Sequence, residues 1–299
     1  MIFIATSNGV YVVDTEDDKI VGKLSIPHSL EIFGICWSDF LGKPIFVSRN
    51  RPWLFPFKKK STSCNLYAVT NDHLLSFSLI GKVKNLHDVH QIATAGPFVY
   101  LTDTSRNRIV VYDIKKGRTI SNIDIGSERK DINHVNALSI EKDCLLIGLN
   151  NRGHKEAQIL KIKLDRLDYS KKAQRGDMIG EIIELPNREH THDILPFNDD
   201  YLVSASHDGV VFNAVKNTDC VVGGGWVRGL ASIGSTLWIG ESKKAERNKR
   251  HSSELSGALN KYDSVTFEKL GSVSLPGAGQ VNDLLFVDDE KLTGSYKLK

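Results

Sequence analysis

Residues 88–125 read DVHQIATAGPFVYLTDTSRNRIVVYDIKKGRTISNIDI. Four apolar runs, near 89–94, 98–102, 108–113 and 119–125, are separated by Ala-Gly-Pro, Ser-Arg-Asn and Lys-Lys-Gly, all of them turn-forming. Four short antiparallel strands joined by tight turns are what a propeller blade needs. A helical period is almost absent from the chain.

The head of that stretch recurs. Val89-His90-Gln91-Ile92, Val135-Asn136-Ala137-Leu138, Thr191-His192-Asp193-Ile194, Val227-Arg228-Gly229-Leu230 and Val281-Asn282-Asp283-Leu284 share the order apolar or Thr, polar, variable, apolar, and Ile32-Phe33-Gly34-Ile35 is a weaker sixth copy. The copies lie 36 to 57 residues apart, a spacing that belongs to repeat architectures. The last copy lacks a complete blade after it, while the N-terminus supplies IFIATS, GVYVVD and KIVGKLSI with no innermost strand before them. Joined, the two ends make one blade and hide two sheet edges. The expected fold is therefore all-β: one domain over residues 1–299, a six-bladed β-propeller of four-stranded antiparallel blades whose last blade is closed by N- and C-terminal strands. KLTGSYKLK at 291–299 reads as a further strand, so a seven-bladed ring is the alternative.

By this architecture the chain resembles the six-bladed β-propeller proteins over its whole length. SASHDGVVFNAV at 204–215 also resembles a piece of a WD40 blade, but no Trp-Asp pair closes a blade here, which ranks that group second.

Composition narrows the function. With 299 residues, 40% of them hydrophobic, the chain can bury a full core. A net charge of +3 gives no basic field for nucleic acid. The apolar run in MIFIATSNGVYVVD is too short for a signal peptide or a membrane span. Cys36, Cys64, Cys144 and Cys220 are scattered without Cys-x-x-Cys spacing, which points to buried thiols in a reducing cytoplasm.

On the innermost strands of such a ring, Phe33, His90, Asn136, His192, Arg228 and Asn282 would circle the channel near one mouth. Glu31, Asp88, His134, His190, Trp226 and Gln280, two residues earlier, would form a second ring on the same side of each strand. Any one polar residue there has an ordinary structural explanation in a wet channel. Together they point to a pocket, because each buried polar group costs ~1–3 kcal/mol unless it finds a partner. Arg49, Asp103, Asn150, His207 and Glu241 end their second strands nearby, and the long segments 49–64, 150–158 and 241–257 would wall the same face. Trp53, Phe55 and Phe57 in the first of these suit a flat ligand or a protein partner.

The chemistry follows from the residue types. His90, His192 and either His134 or His190 are candidate ligands for a divalent metal such as Zn, Mn or Fe. Arg228 calls for an anion, with His90 or His192 as proton acceptor. Glu31, Asn136, Asn282 and Asp283 resemble the oxygen ligands that hold calcium in the regucalcin and paraoxonase-like lactonases, which makes calcium the alternative ion, although this sequence puts two histidines and an arginine among them. The reading is a metal-dependent lyase or hydrolase acting on a carboxylated small molecule or sugar, with His90, His192 and Arg228 catalytic and Glu31, Asp88, Asn136, Trp226, Asn282 and Glu241 binding. A non-catalytic platform for ligands or proteins stays open beside it, since fold alone does not give function.

Overall fold

The computed structural model describes residues 1–27, 29–50, 63–70, 76–127, 130–246 and 249–296. Six antiparallel sheets follow one another around a ring. Blade one uses Ile2–Thr6, Gly9–Asp14 and Lys19–Ser25 with Val281–Phe286 as its innermost strand. Blades two to six span 30–84, 92–124, 135–185, 191–222 and 226–275.

The ring follows from alternation along the second strands. In Ile2–Thr6, Ile2 and Ile4 join the core shared with blade six, while Phe3 and Ala5 join the core shared with blade two. The period of two thus sends alternate side chains to opposite neighbours, and a strand buried on both faces reads as continuously apolar. The same division gives six separate cores, one between every pair of successive blades. Outermost strands such as Lys19–Ser25 are mostly exposed.

Closure takes the expected form. Ile2, Phe3 and Ile4 pair with Phe286, Leu285 and Leu284, and the terminal amine of Met1 donates to the Val287 carbonyl at 3.0 Å. The seven-bladed alternative fails because Asp289–Tyr296 forms a helix, its first turn carrying Asp289 and Glu290 where the helix dipole favours negative charge. Residues 297–299 lie outside the described residues. Blade three departs from the four-strand plan, since Gln174–Arg175 adds a short parallel strand to its outer edge. All four cysteines are free thiols.

Deleting residues 1–14 removes two strands of blade one and uncovers both cores it shares. The expected calorimetric result is loss of the single cooperative transition. A truncated chain that melts sharply at the parent temperature would contradict closure by the ends.

Candidate functional site

The repeated polar residue owes its position to a break in the strand ladder. Pairing skips Phe33 and Gly34, Asn136, His192, and Arg228 and Gly229 in blades two, four, five and six, and it skips Asn282 in blade one. A bulge leaves its extra residue unpaired and re-aims the side chain. In blade three the innermost strand starts only at Ile92, so His90 precedes the ladder. Asp88, His134 and His190, two residues earlier, all have left-handed backbone, with φ of 63°, 47° and 55°.

These residues line a polar funnel of about 300 Å³ at one mouth of the channel. Glu31, Phe33, Asp88, His90, His134, His190, His192, Trp226, Arg228 and Gln280 all face it. Asn136 and Asn282 lie deeper, around a throat that also touches Phe33, His90, Gln91, His192 and Arg228. Of the five residues expected at the rim, Arg49, Asn150 and His207 reach the funnel. Asp103 and Glu241 do not. Asp103 binds Arg108 and the His87 amide, and Glu241 accepts from Asn260 and the Gly224 amide. The register explains this: Glu31 pairs with Arg49, whereas Trp226, the matching residue of blade six, pairs with Ser242. Glu241 is one residue off, and a one-residue offset turns a side chain to the other face. Most of the 49–64 loop, with Trp53, Phe55 and Phe57, lies outside the described residues.

Among the described residues four guanidiniums face the funnel, those of Arg49, Arg152, Arg228 and Arg250, against the carboxylates of Glu31 and Asp88. Both carboxylates are engaged by Arg49, which meets Glu31 at 3.4 Å and also contacts Asp88. His251 lies 3.1 Å from the other oxygen of Glu31. Arg152 pairs with Asp131 at 2.7 Å. Arg250 lies over the Trp226 ring, 3.8 Å from its centroid. Arg152, Arg250 and His251 come from two of the three long wall segments, which the sequence located without singling out these side chains.

Arg228 differs from the others. It is only 9% exposed, and among the described residues no carboxylate lies within ion-pair distance of it. Its acceptors are neutral. Nη2 donates to Nε2 of His192 at 3.0 Å, and with the Gln280 amide turned to present its oxygen, Nη1 and Nε donate to it at 2.7 and 3.1 Å. Burial, with the charge of Arg250 adding to it and that of Glu31 partly offsetting it, lowers the guanidinium pKa to about 9. Three of five donors are used, leaving two.

These contacts fix the state of His192. Its Nδ1 lies 2.7 Å from the His190 carbonyl, which can only accept, so Nδ1 carries the proton and Nε2 offers its lone pair to Arg228. Burial first, then the Arg228 charge, push its pKa well below the ordinary histidine value. A lone pair already held by a guanidinium does not fit a metal ligand, and four arginines around the funnel disfavour a divalent cation. The Glu31 carboxylate is likewise engaged, and Asn282 donates its amide to the Ile32 carbonyl at 2.6 Å. A zinc-type site that uses His192 does not fit these contacts. Among the described residues no group of three or more His, Cys, Asp or Glu side chains is placed to hold a metal ion.

Below the throat the third position of the phrase closes the channel. Gln91, Asp193 and Asp283 occupy it in blades three, five and one, while Gly34, Ala137 and Gly229 occupy it in blades two, four and six. Gln91 accepts from the Leu138 amide at 2.7 Å, Asp193 from Leu230 at 2.7 Å and Asp283 from Ile35 at 2.9 Å, each reaching the next blade. The Gln91 amide joins the three by donating to Asp193 at 3.0 Å and to Asp283 at 3.4 Å. Small residues are needed in between: a Cβ on Gly34 would fall 2.5 Å from the Ile92 nitrogen, and one on Gly229, at φ 77°, would fall 2.9 Å from the Asp283 backbone. Burial raises both carboxyls, Asp193 to about 6 and Asp283 further because the Asp193 charge lies beside it. Sequence reading missed this plug, although the alternation of Gln/Asp with Gly/Ala was its visible signal. A second cavity of about 380 Å³, lined by Trp37, Leu138, Leu195, Leu230 and Phe286, opens on the far side.

No protein-family model and no curated protein sequence matches the chain. Solved structures do match it by shape. A chain in the crystal structure of a nidogen/laminin complex aligns with a TM-score of 0.64 at 11% identity, over 95% of this chain and 96% of that one. A protein of unknown function from Bacteroides caccae aligns with a TM-score of 0.59 at 13% identity, over 95% and 97%. At these identities the likeness is one of fold, and the chain is a six-bladed β-propeller.

Proposed function

We propose that the funnel binds a small carboxylated molecule, a sugar acid or organic acid, through Arg228. One observation carries this: a buried guanidinium whose partners are all neutral, at a mouth where the carboxylates are already engaged by Arg49. A bidentate carboxylate supplies the missing charge and uses both remaining donors. Trp226 lines the same funnel, one face of its ring covered by Arg250. The four free thiols favour a reducing, cytoplasmic setting for this activity.

A lyase reading is supported by His90, which faces the same funnel with Nε2 3.8 Å from Asp88. In that reaction His90 takes the proton next to the substrate carboxylate. The electron pair forms a carbon–carbon double bond, and the leaving group departs with the electrons of its own bond. Asp88 balances the imidazolium, and Arg228 stabilises the charge that builds on the carboxylate. His192, its lone pair held by Arg228, positions that guanidinium and is not the base. The hydrolase variant with metal-bound water loses support from the same contacts.

A thermal-shift panel tests binding. Galacturonate, glucuronate, gluconate and malate should raise the melting temperature, and galactose and glucose should not. Equal shifts with the neutral sugars would remove the case for an anion site. For the lyase reading, a ligand found this way should generate ultraviolet absorbance from a new conjugated double bond, lost in His90→Gln with binding kept.

A further inference from the structure

Asn136 is 1% exposed, and among the described residues neither its amide nitrogen nor its carbonyl oxygen has a hydrogen-bond partner. It lines the throat together with His90, His192, Arg228 and Asn282. The space there is about 10 Å³, close to what one water needs. Leaving a buried amide unpaired on both sides is unfavourable, so a small polar group belongs in that space.

We propose that the throat is a one-oxygen subsite for the hydroxyl group on the carbon next to the ligand's carboxylate, so that the ligand class is the 2-hydroxy acids, aldonic acids included. This rests on the carboxylate reading of Arg228. The throat is too small for a carboxylate, whose two oxygens stay in the funnel above. Arg228 borders both spaces, so the group entering the throat is attached one carbon from the carboxylate. Asn136 offers one donor side and one acceptor side, and a hydroxyl both accepts and donates. An ammonium cannot accept and would face the Arg228 charge, which disfavours 2-amino acids. A methyl or hydrogen leaves the amide unpaired or bonded to a water.

The test compares gluconate with 2-deoxygluconate, and lactate with propionate and alanine, by calorimetry on the full chain. The parent should bind each hydroxy acid at least tenfold more tightly than its deoxy or amino counterpart. Asn136→Ala and Asn136→Ser, each confirmed as folded by its melting curve, should reduce that preference to under threefold while keeping carboxylate binding. Should the parent bind carboxylates with no preference for the hydroxyl, or either folded variant keep the full preference, the throat holds a water only and the inference falls while the anion site stands. Binding of none of the carboxylates would overturn both.

Discussion

Replacing Arg228 by methionine leaves the chain folded, with a melting temperature equal to or above that of the parent, and weakens carboxylate binding by roughly a hundredfold. The loss corresponds to about 2–3 kcal/mol for a charge-assisted, bidentate contact. The unchanged or improved stability is the sharper expectation. An arginine in a structural ion pair leaves an uncompensated carboxylate when removed, which costs about 3–5 kcal/mol. Arg228 has neutral partners and a pKa lowered by burial, so its charge opposes folding of the empty protein. Chemical denaturation of parent and variant without ligand, followed by calorimetry with a bound carboxylate, measures both halves. A variant destabilised by several kcal/mol would make Arg228 a structural residue.

The second large effect lies in the plug. Asp193→Ala removes the acceptor of three donors, the Gln91 amide and the backbone amides of Ile194 and Leu230, and should destabilise by about 3–5 kcal/mol. The pH dependence of Asp193→Asn separates the charge from the hydrogen bonds. Burial raises the native carboxyl to about 6, whereas an unfolded aspartate titrates near 3.9. Between these values the folded chain holds a proton that the unfolded chain has released. The contribution is therefore whole below about pH 4 and lost by pH 6, roughly 3 kcal/mol in all. His192 acts in the opposite sense, since its depressed pKa removes stability as pH falls below about 6.5. Denaturation curves from pH 4 to 7 should show Asp193→Asn gaining on the parent as pH rises. Parallel curves would mean that the buried carboxyl is not proton-linked.

The sequence carried the ring and the outline of the funnel because both depend on period. Alternating burial in strands such as Ile2–Thr6 and the repeated phrase are local patterns, and the unfinished repeats at 1–25 and 281–286 foretold how they join. What escaped depends on register and on partners. Glu241 and Asp103 resemble Arg49 in position along the strand, but one residue of offset turns Glu241 away from the funnel, and Asp103 is held by Arg108 and the His87 amide. The bulge made the third position of the phrase point inward as well, which a strict period of two forbids, so Gln91 and Asp193 were left as variable residues and Asp283 was read only as a candidate calcium ligand. The histidines suggested a metal only while the partner of His192 was unknown, and its bond to Arg228 is a contact between blades that no sequence spacing reveals. The 291–299 segment was taken for a strand from its composition, while the acidic residues ahead of it start a helix.

The plug of Gln91, Asp193 and Asp283 makes the funnel a room with one door. The hydrogen-bonded plug stands between the funnel and the cavity on the far side, so a ligand that enters the funnel leaves by the route it came. Water displaced from the floor has to pass the incoming molecule, and a bound ligand blocks its successor until it departs. For the carboxylate ligand proposed above, exchange is therefore by turns, and the dwell time of the departing molecule sets the pace for the next.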